Sequence, residues 1–67
     1  MNNGQIIFED FAQQQVRGAT IYATRDETLD EVLVRINAWL KQQNGTVINI
    51  ETHYFGSKFA LRVWMRS

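Results

Sequence analysis

The amino-acid sequence predicts one small α+β domain over residues 1–67, of order β-β-α-β-β, with a single amphipathic helix packed on one face of a small antiparallel or mixed sheet. Three observations carry that expectation. A capped apolar stripe runs through residues 28–43, a Gly-Ser turn separates two alternating segments in the C-terminal third, and a β-branched and aromatic run lies at 19–24.

The helix opens on Thr28-Leu29-Asp30-Glu31, a capping box in which the Thr hydroxyl takes the amide three residues on and Glu31 reaches back. Asp26 is an alternative cap. Leu29, Val32, Leu33, Ile36, Trp39 and Leu40 recur at the helical spacings that make one apolar stripe. Asp30, Arg35, Asn37, Ala38 and Lys41 take the other side with Val34 as a lone apolar residue, and Glu31 precedes Arg35 by one turn as an ion pair would require. Asn44-Gly45 offers left-handed residues to end the helix.

The hairpin pairs residues 46–54 with 58–66. Gly56-Ser57 has Gly first, as a two-residue type II′ turn requires. The turn sets the register, with Phe55 opposite Lys58 and Tyr54 opposite Phe59. One face then carries Ile48, Ile50, Thr52 and Tyr54 opposite Met65, Val63, Leu61 and Phe59. The other carries Val47, Asn49, Glu51, His53 and Phe55 opposite Arg66, Trp64, Arg62, Ala60 and Lys58. Turn chemistry and apolar alternation, two independent signals, agree on this register. The run 19–24 reads as a strand with Tyr22 facing away from the helix, and 5–8 as another. Residues 9–17 either extend that first strand or form a short helix ended by Gly18.

A chain of 67 residues makes a thin core, and scaffolds of this size commonly add disulfides, a metal or self-association. With no Cys and only His53 as imidazole, disulfides and thiolate sites are excluded and no metal or cofactor is expected. Self-association is the remaining option. Seven basic and seven acidic groups cancel, so no net field draws the chain to nucleic acid or membrane. Residues 45–67 are nevertheless locally positive, with Lys58, Arg62 and Arg66 against Glu51. No apolar run is long enough to span a membrane and no secretory leader pattern opens the chain, which places it in the cytoplasm by default.

One helix covers one sheet face, leaving the other to display Tyr22, His53, Phe55 and Trp64 among Glu51, Lys58, Arg62 and Arg66. Something should cover so aromatic a face: the N-terminal segment, a second subunit or a ligand. Arg is the side chain of choice for phosphate or carboxylate, and Trp, Tyr or His can stack on a base. The same residue types dominate interface hot spots. A solvated face with a Glu51–Arg62 cross-strand pair is the plainest alternative. Tyr22, Glu51, His53, Lys58, Arg62, Trp64 and Arg66 are therefore the expected ligand-binding or interface residues. No ribonucleoprotein-type motif supports a nucleic-acid partner.

Catalysis has little to build on. Glu51 and His53 share a strand face, and Ser57, Thr52 and Thr20 are the available hydroxyls, but no second His, no Cys and no nucleophile elbow accompany them. Glu9-Asp10 and Asp26-Glu27 read as solvated acids or cap helpers, and the scattered glycines Gly4, Gly18, Gly45 and Gly56 form no phosphate cradle. The function expected is a small non-enzymatic binding protein, self-associating through the open sheet face and able to take an anionic, nucleotide-like ligand there. The alternatives are an inhibitor or adaptor docking on a larger protein partner, and a small enzyme with a site shared between subunits.

Overall fold

The computed structural model describes residues 4–20 and 23–67. The most buried strand is central. It is β5 (Lys58–Arg66), with β1 (Ile6–Ala12) and β4 (Thr46–Phe55) antiparallel on its two flanks. A separate ribbon pairs β2 (Gln15–Arg17) with β3 (Thr24–Asp26), and α1 (Leu29–Leu40) follows it. The fold is α+β, and the described chain carries one strand more than the expected order, β-β-β-α-β-β.

The extra strand has a simple origin. Residues 9–17 are not helical: β1 runs on to Ala12 and the chain re-enters extended backbone as β2. β5 is flanked by β1 and β4, and the described residues of the run expected as a strand at 19–24 do not join this sheet. Ala19 and Thr20 lie in a bend, residues 21–22 fall outside the described residues, and Thr24 opens β3. Gly18 N–H donates to Ala23 C=O at 2.9 Å and Ala23 N–H to Thr20 C=O at 3.2 Å, closing the connection.

The C-terminal hairpin turns at Gly56 with φ +62° while Ser57 stays out of the left-handed region, as type II′ asks. The register matches expectation from Phe55↔Lys58 down to Asn49↔Trp64. There a bulge at Ile48 interrupts it, so Val47 pairs with Met65 and Thr46 with Arg66. The sequence reading had placed Ile48 opposite Met65 and Val47 opposite Arg66; one inserted residue moves Val47 to the helix-facing side.

The helix starts on the capping box. Thr28 Oγ1 accepts from Glu31 N–H at 3.2 Å, and Thr28 N–H donates to Glu31 Oε1 at 2.9 Å. It stops three residues sooner than expected, by tightening: Gln42 N–H donates to Trp39 C=O and Gln43 N–H to Leu40 C=O. Neither Asn44 nor Gly45 is left-handed. Gly45 is there for space, because a Cβ on it would stand 2.8 Å from the Arg66 carbonyl oxygen and 3.0 Å from Met65 Cε. Val32 and Ile36 are fully buried against Phe11, Leu61, Val63 and Met65, with Leu33, Trp39, Leu40 and Phe59 packed around them. Leu29, counted in the stripe, is half-exposed.

One polar node ties these parts together. The expected Glu31–Arg35 pair does not form; Glu31 takes Arg25 at 2.7 and 2.8 Å, and Arg35 takes Glu27 at 2.8 and 2.9 Å. Glu27 is no solvated acid. It is 5% exposed, and its Oε1 also accepts from Gln14 N–H at 2.9 Å. Gln13 bridges outward from there, its Nε2 donating to Glu27 C=O and its Oε1 accepting from Phe59 N–H. The β1–β2 junction, the β3–α1 junction and the helix thus meet at Glu27, and Gln13 links that residue to the start of β5.

The molecule is thin, 51 × 25 × 13 Å, with a radius of gyration of 14.4 Å. A compact chain of this length would have about 11 Å. The core is therefore small for the surface it must hold together.

Glu27 sits below the usual carboxylate range because Arg35 binds it, and Glu31 is lowered to about 2 by Arg25 and the Thr28 amide. A lowered folded-state pKa gives stability that is complete above the unfolded value and is lost as pH falls through the folded one. Thermal unfolding followed by circular dichroism should show a midpoint that declines below about pH 5. Glu27→Gln should cost about 2 kcal/mol at neutral pH and flatten that decline, since it loses a charge-assisted pair while keeping the shape. A midpoint indifferent to both changes would remove the node from the account.

Candidate binding face

Strand alternation puts Arg62, Trp64 and Arg66 of β5 on the side away from the helix, opposite the face of Leu61, Val63 and Met65. Register then adds neighbours from both flanks. From β4 come Glu51 beside Arg62, His53 beside Ala60 and Asn49 beside Trp64. From β1 come Phe8 beside Trp64, Asp10 beside Arg62 and Ile6 beside Arg66. Residues 6–12 therefore do not close over this face; they widen it.

Its centre is an aromatic and cationic stack. The Phe8 and Trp64 rings lie 5.0 Å apart at 52°, and the Arg62 guanidinium sits 4.4 Å from the centroid of Phe8. Asp10 holds that guanidinium from its edge, with Oδ1 to Nε at 2.8 Å and Oδ2 to Nη2 at 3.0 Å. A planar, delocalised cation can offer its face to a ring and its edge to a carboxylate at once, which an ammonium group cannot. Phe8 and Ile6 remain about half-exposed, whereas Trp64 is half-buried.

Glu51 and His53 meet at 3.0 Å on β4. The Glu51 carboxyl lies below its ordinary range, held first by the Trp64 indole N–H, then by His53 and by the charge of Arg62. The indole contact falls short of good hydrogen-bond geometry, and Trp64 Nε1 is buried with no other partner among the described residues. Asp10 is lowered too, by Arg62 above all.

Of the residues named from sequence, Glu51, His53, Arg62, Trp64 and Arg66 share this face. Lys58 leaves the group at the turn end, where its Nζ donates to Asp26 Oδ1 at 2.6 Å. Tyr22 lies outside the described residues. The expected Glu51–Arg62 cross-strand pair is displaced, since Arg62 binds Asp10 on the opposite flank. Phe8 and Asp10 went unseen because the sequence marked a strand at 5–8 without saying which strand it joins. Asp10, like Glu27, looked like a solvated acid until a partner distant in sequence came beside it.

Among the described residues the face carries no assembled nucleophile. His53 has Glu51 beside it, but Thr52 lies on the opposite side of the sheet by alternation, Ser57 is in the hairpin turn and Thr20 in the bend before β3. Among the described residues there is no enclosed pocket and no group of side chains suited to a metal ion. No described helix is long and apolar enough to cross a membrane. No protein-family model, no curated protein and no solved structure matches the chain.

The two carboxylates are separable by titration. In a carbon-detected NMR titration both should protonate below their ordinary values of 3.8 for Asp10 and 4.5 for Glu51. Arg62→Gln should return Asp10 to near 3.8 and move Glu51 less, because Trp64 and His53 hold Glu51 more strongly than Arg62 does. Equal movement of both would mean that one shared field, not the local contacts, sets them.

Proposed function

We propose that this chain is a small non-enzymatic binding protein that self-associates through the open face of its three-stranded sheet. The observation that carries the reading is the Phe8–Trp64–Arg62 stack, with Phe8 48% and Ile6 47% exposed on a face that no described segment covers. Aromatic rings with an arginine held in place beside them are the residue types that concentrate binding energy at protein interfaces. Pre-positioning matters as much as composition, since side chains already fixed lose little freedom on binding. The elongated, thin shape argues the same way, because a second layer would shelter what one helix leaves open.

A docking face for protein accounts for the charges better than a nucleotide site does. Asp10 already neutralises Arg62, and Asp26 already holds Lys58. An anion would have to displace both carboxylates. Arg66, at the far end of β5, is left as one exposed cation.

Sedimentation velocity over a range of concentrations tests the reading. The native chain should sediment above monomer mass. Phe8→Ser should weaken association about tenfold or more, the loss of one interfacial aromatic being worth about 1.5–3 kcal/mol. A monomer at every concentration, or a Phe8→Ser protein that associates unchanged, would end the proposal.

A further inference from the structure

The sheet has two edges, and they are not alike. Phe59 N–H and C=O both point toward β1, where they meet Gln13 Oε1 at 3.0 Å and Gln13 N–H at 3.1 Å. At the other end Ser67 N–H donates to Gln5 C=O at 2.9 Å, in the same phase. Alternation along β5 then aims Lys58, Ala60, Arg62 and Trp64 at β4. Their partners Phe55, His53, Glu51 and Asn49 use their backbone groups inward, so Ile50, Thr52 and Tyr54 point theirs outward. On β1 the outward positions include Ala12, whose carbonyl is taken by Arg35 Nη2 at 2.7 Å. The β1 edge, seven residues long, is thus capped at its Ala12 end. The β4 edge, ten residues long, has no Pro, Lys or Arg along it, and above its one bulge at Ile48 it runs regularly over residues 49–55.

We infer that β4 pairs antiparallel with β4 of a second copy about a two-fold axis at Thr52, joining two three-stranded sheets into one of six strands. The register follows from the residues. A two-fold axis normal to the sheet pairs one residue with its own copy. Centring on Glu51 would set two carboxylates face to face, and centring on Ile50 would carry the pairing into the bulge at Ile48. Centring on Thr52 places Glu51 opposite His53 of the other copy, twice over. It also sets Ile50 beside Tyr54 of the other copy on the helix side, covering two side chains that are 43% and 75% exposed. The pairing spans residues 49–55, the regular stretch above the bulge, and its outward groups at Ile50, Thr52 and Tyr54 supply about six backbone hydrogen bonds. Charge, apolar contact and backbone phase choose the same register.

This edge contact is separate from the face contact proposed above, and the two are tested by different residues. Thr52→Pro removes an outward N–H while leaving the β4–β5 ladder intact, as edge prolines do. Because each copy loses one donor, the dissociation constant should rise about tenfold or more, read by sedimentation with circular dichroism confirming the fold. Thr52→Val, which keeps the backbone donor, should behave like the native chain. Ile50→Lys, at a half-exposed position, should weaken association as Thr52→Pro does, and decides the matter if the proline variant fails to fold. Thr52→Cys, in a chain with no other cysteine, should give an inter-copy disulfide under mild oxidation far faster than Ser57→Cys, which lies well away from the axis. Equal cross-linking rates, or native association by both Thr52→Pro and Ile50→Lys, would overturn the edge contact. If Phe8→Ser alone lowers the mass, the face contact stands and the edge falls; if the Thr52 and Ile50 variants alone lower it, the reverse holds.

Discussion

The Glu27 carboxylate is the constraint on which the remainder of the molecule depends. Its oxygens receive two hydrogen bonds from Arg35 and one from the Gln14 amide, while its own backbone is bound by Gln13 and Gln14. A buried acid is expensive unless it is matched in this way, and matched it becomes a fixed joint between elements that share little apolar contact. The β2–β3 ribbon buries no large side chain of its own. Its place beside the sheet is set by Glu27 and by the Lys58–Asp26 pair. Arg35, once bound to Glu27, is also positioned to cap the end of β1. For a fold whose core among the described residues is six side chains, a joint of this kind decides whether the parts act as one body.

What was legible in the sequence was local. The capping box needs only Thr28 and Glu31, and the hairpin turn needs only Gly56 and Ser57; both are as read. Seven residues of register followed from that turn. The illegible features all required knowing what lies beside what. The bulge at Ile48 leaves no mark in a run of alternating residues. Glu31 chose Arg25 over Arg35 because a ribbon not foreseen brought Arg25 within reach. Gly45 was read for conformation when its purpose is clearance for the C-terminal strand. Most of the candidate face was visible as β4 and β5 residues, yet its aromatic partner Phe8 and its counter-ion Asp10 came from the opposite end of the chain.

That contribution from β1 changes the character of the face. Read from the hairpin alone it is a basic surface with aromatic groups. With β1 in place its central arginine is neutralised and stacked, and Ile6, Phe8 and Phe55 are exposed apolar residues on that face. Arginine here stiffens an apolar patch more than it advertises charge. Zero net charge across the chain places no electrostatic barrier between one copy and another.

The contact between Arg35 and the Ala12 carbonyl carries a consequence for what kinds of assembly are possible. A sheet with two bare margins can recruit strands without end, which is the geometry of fibres. Here one margin is occupied by a side chain that the helix cannot withdraw without abandoning Glu27. A strand arriving on that margin meets a carbonyl already taken at its Ala12 end, a hindrance that the longer margin does not present there.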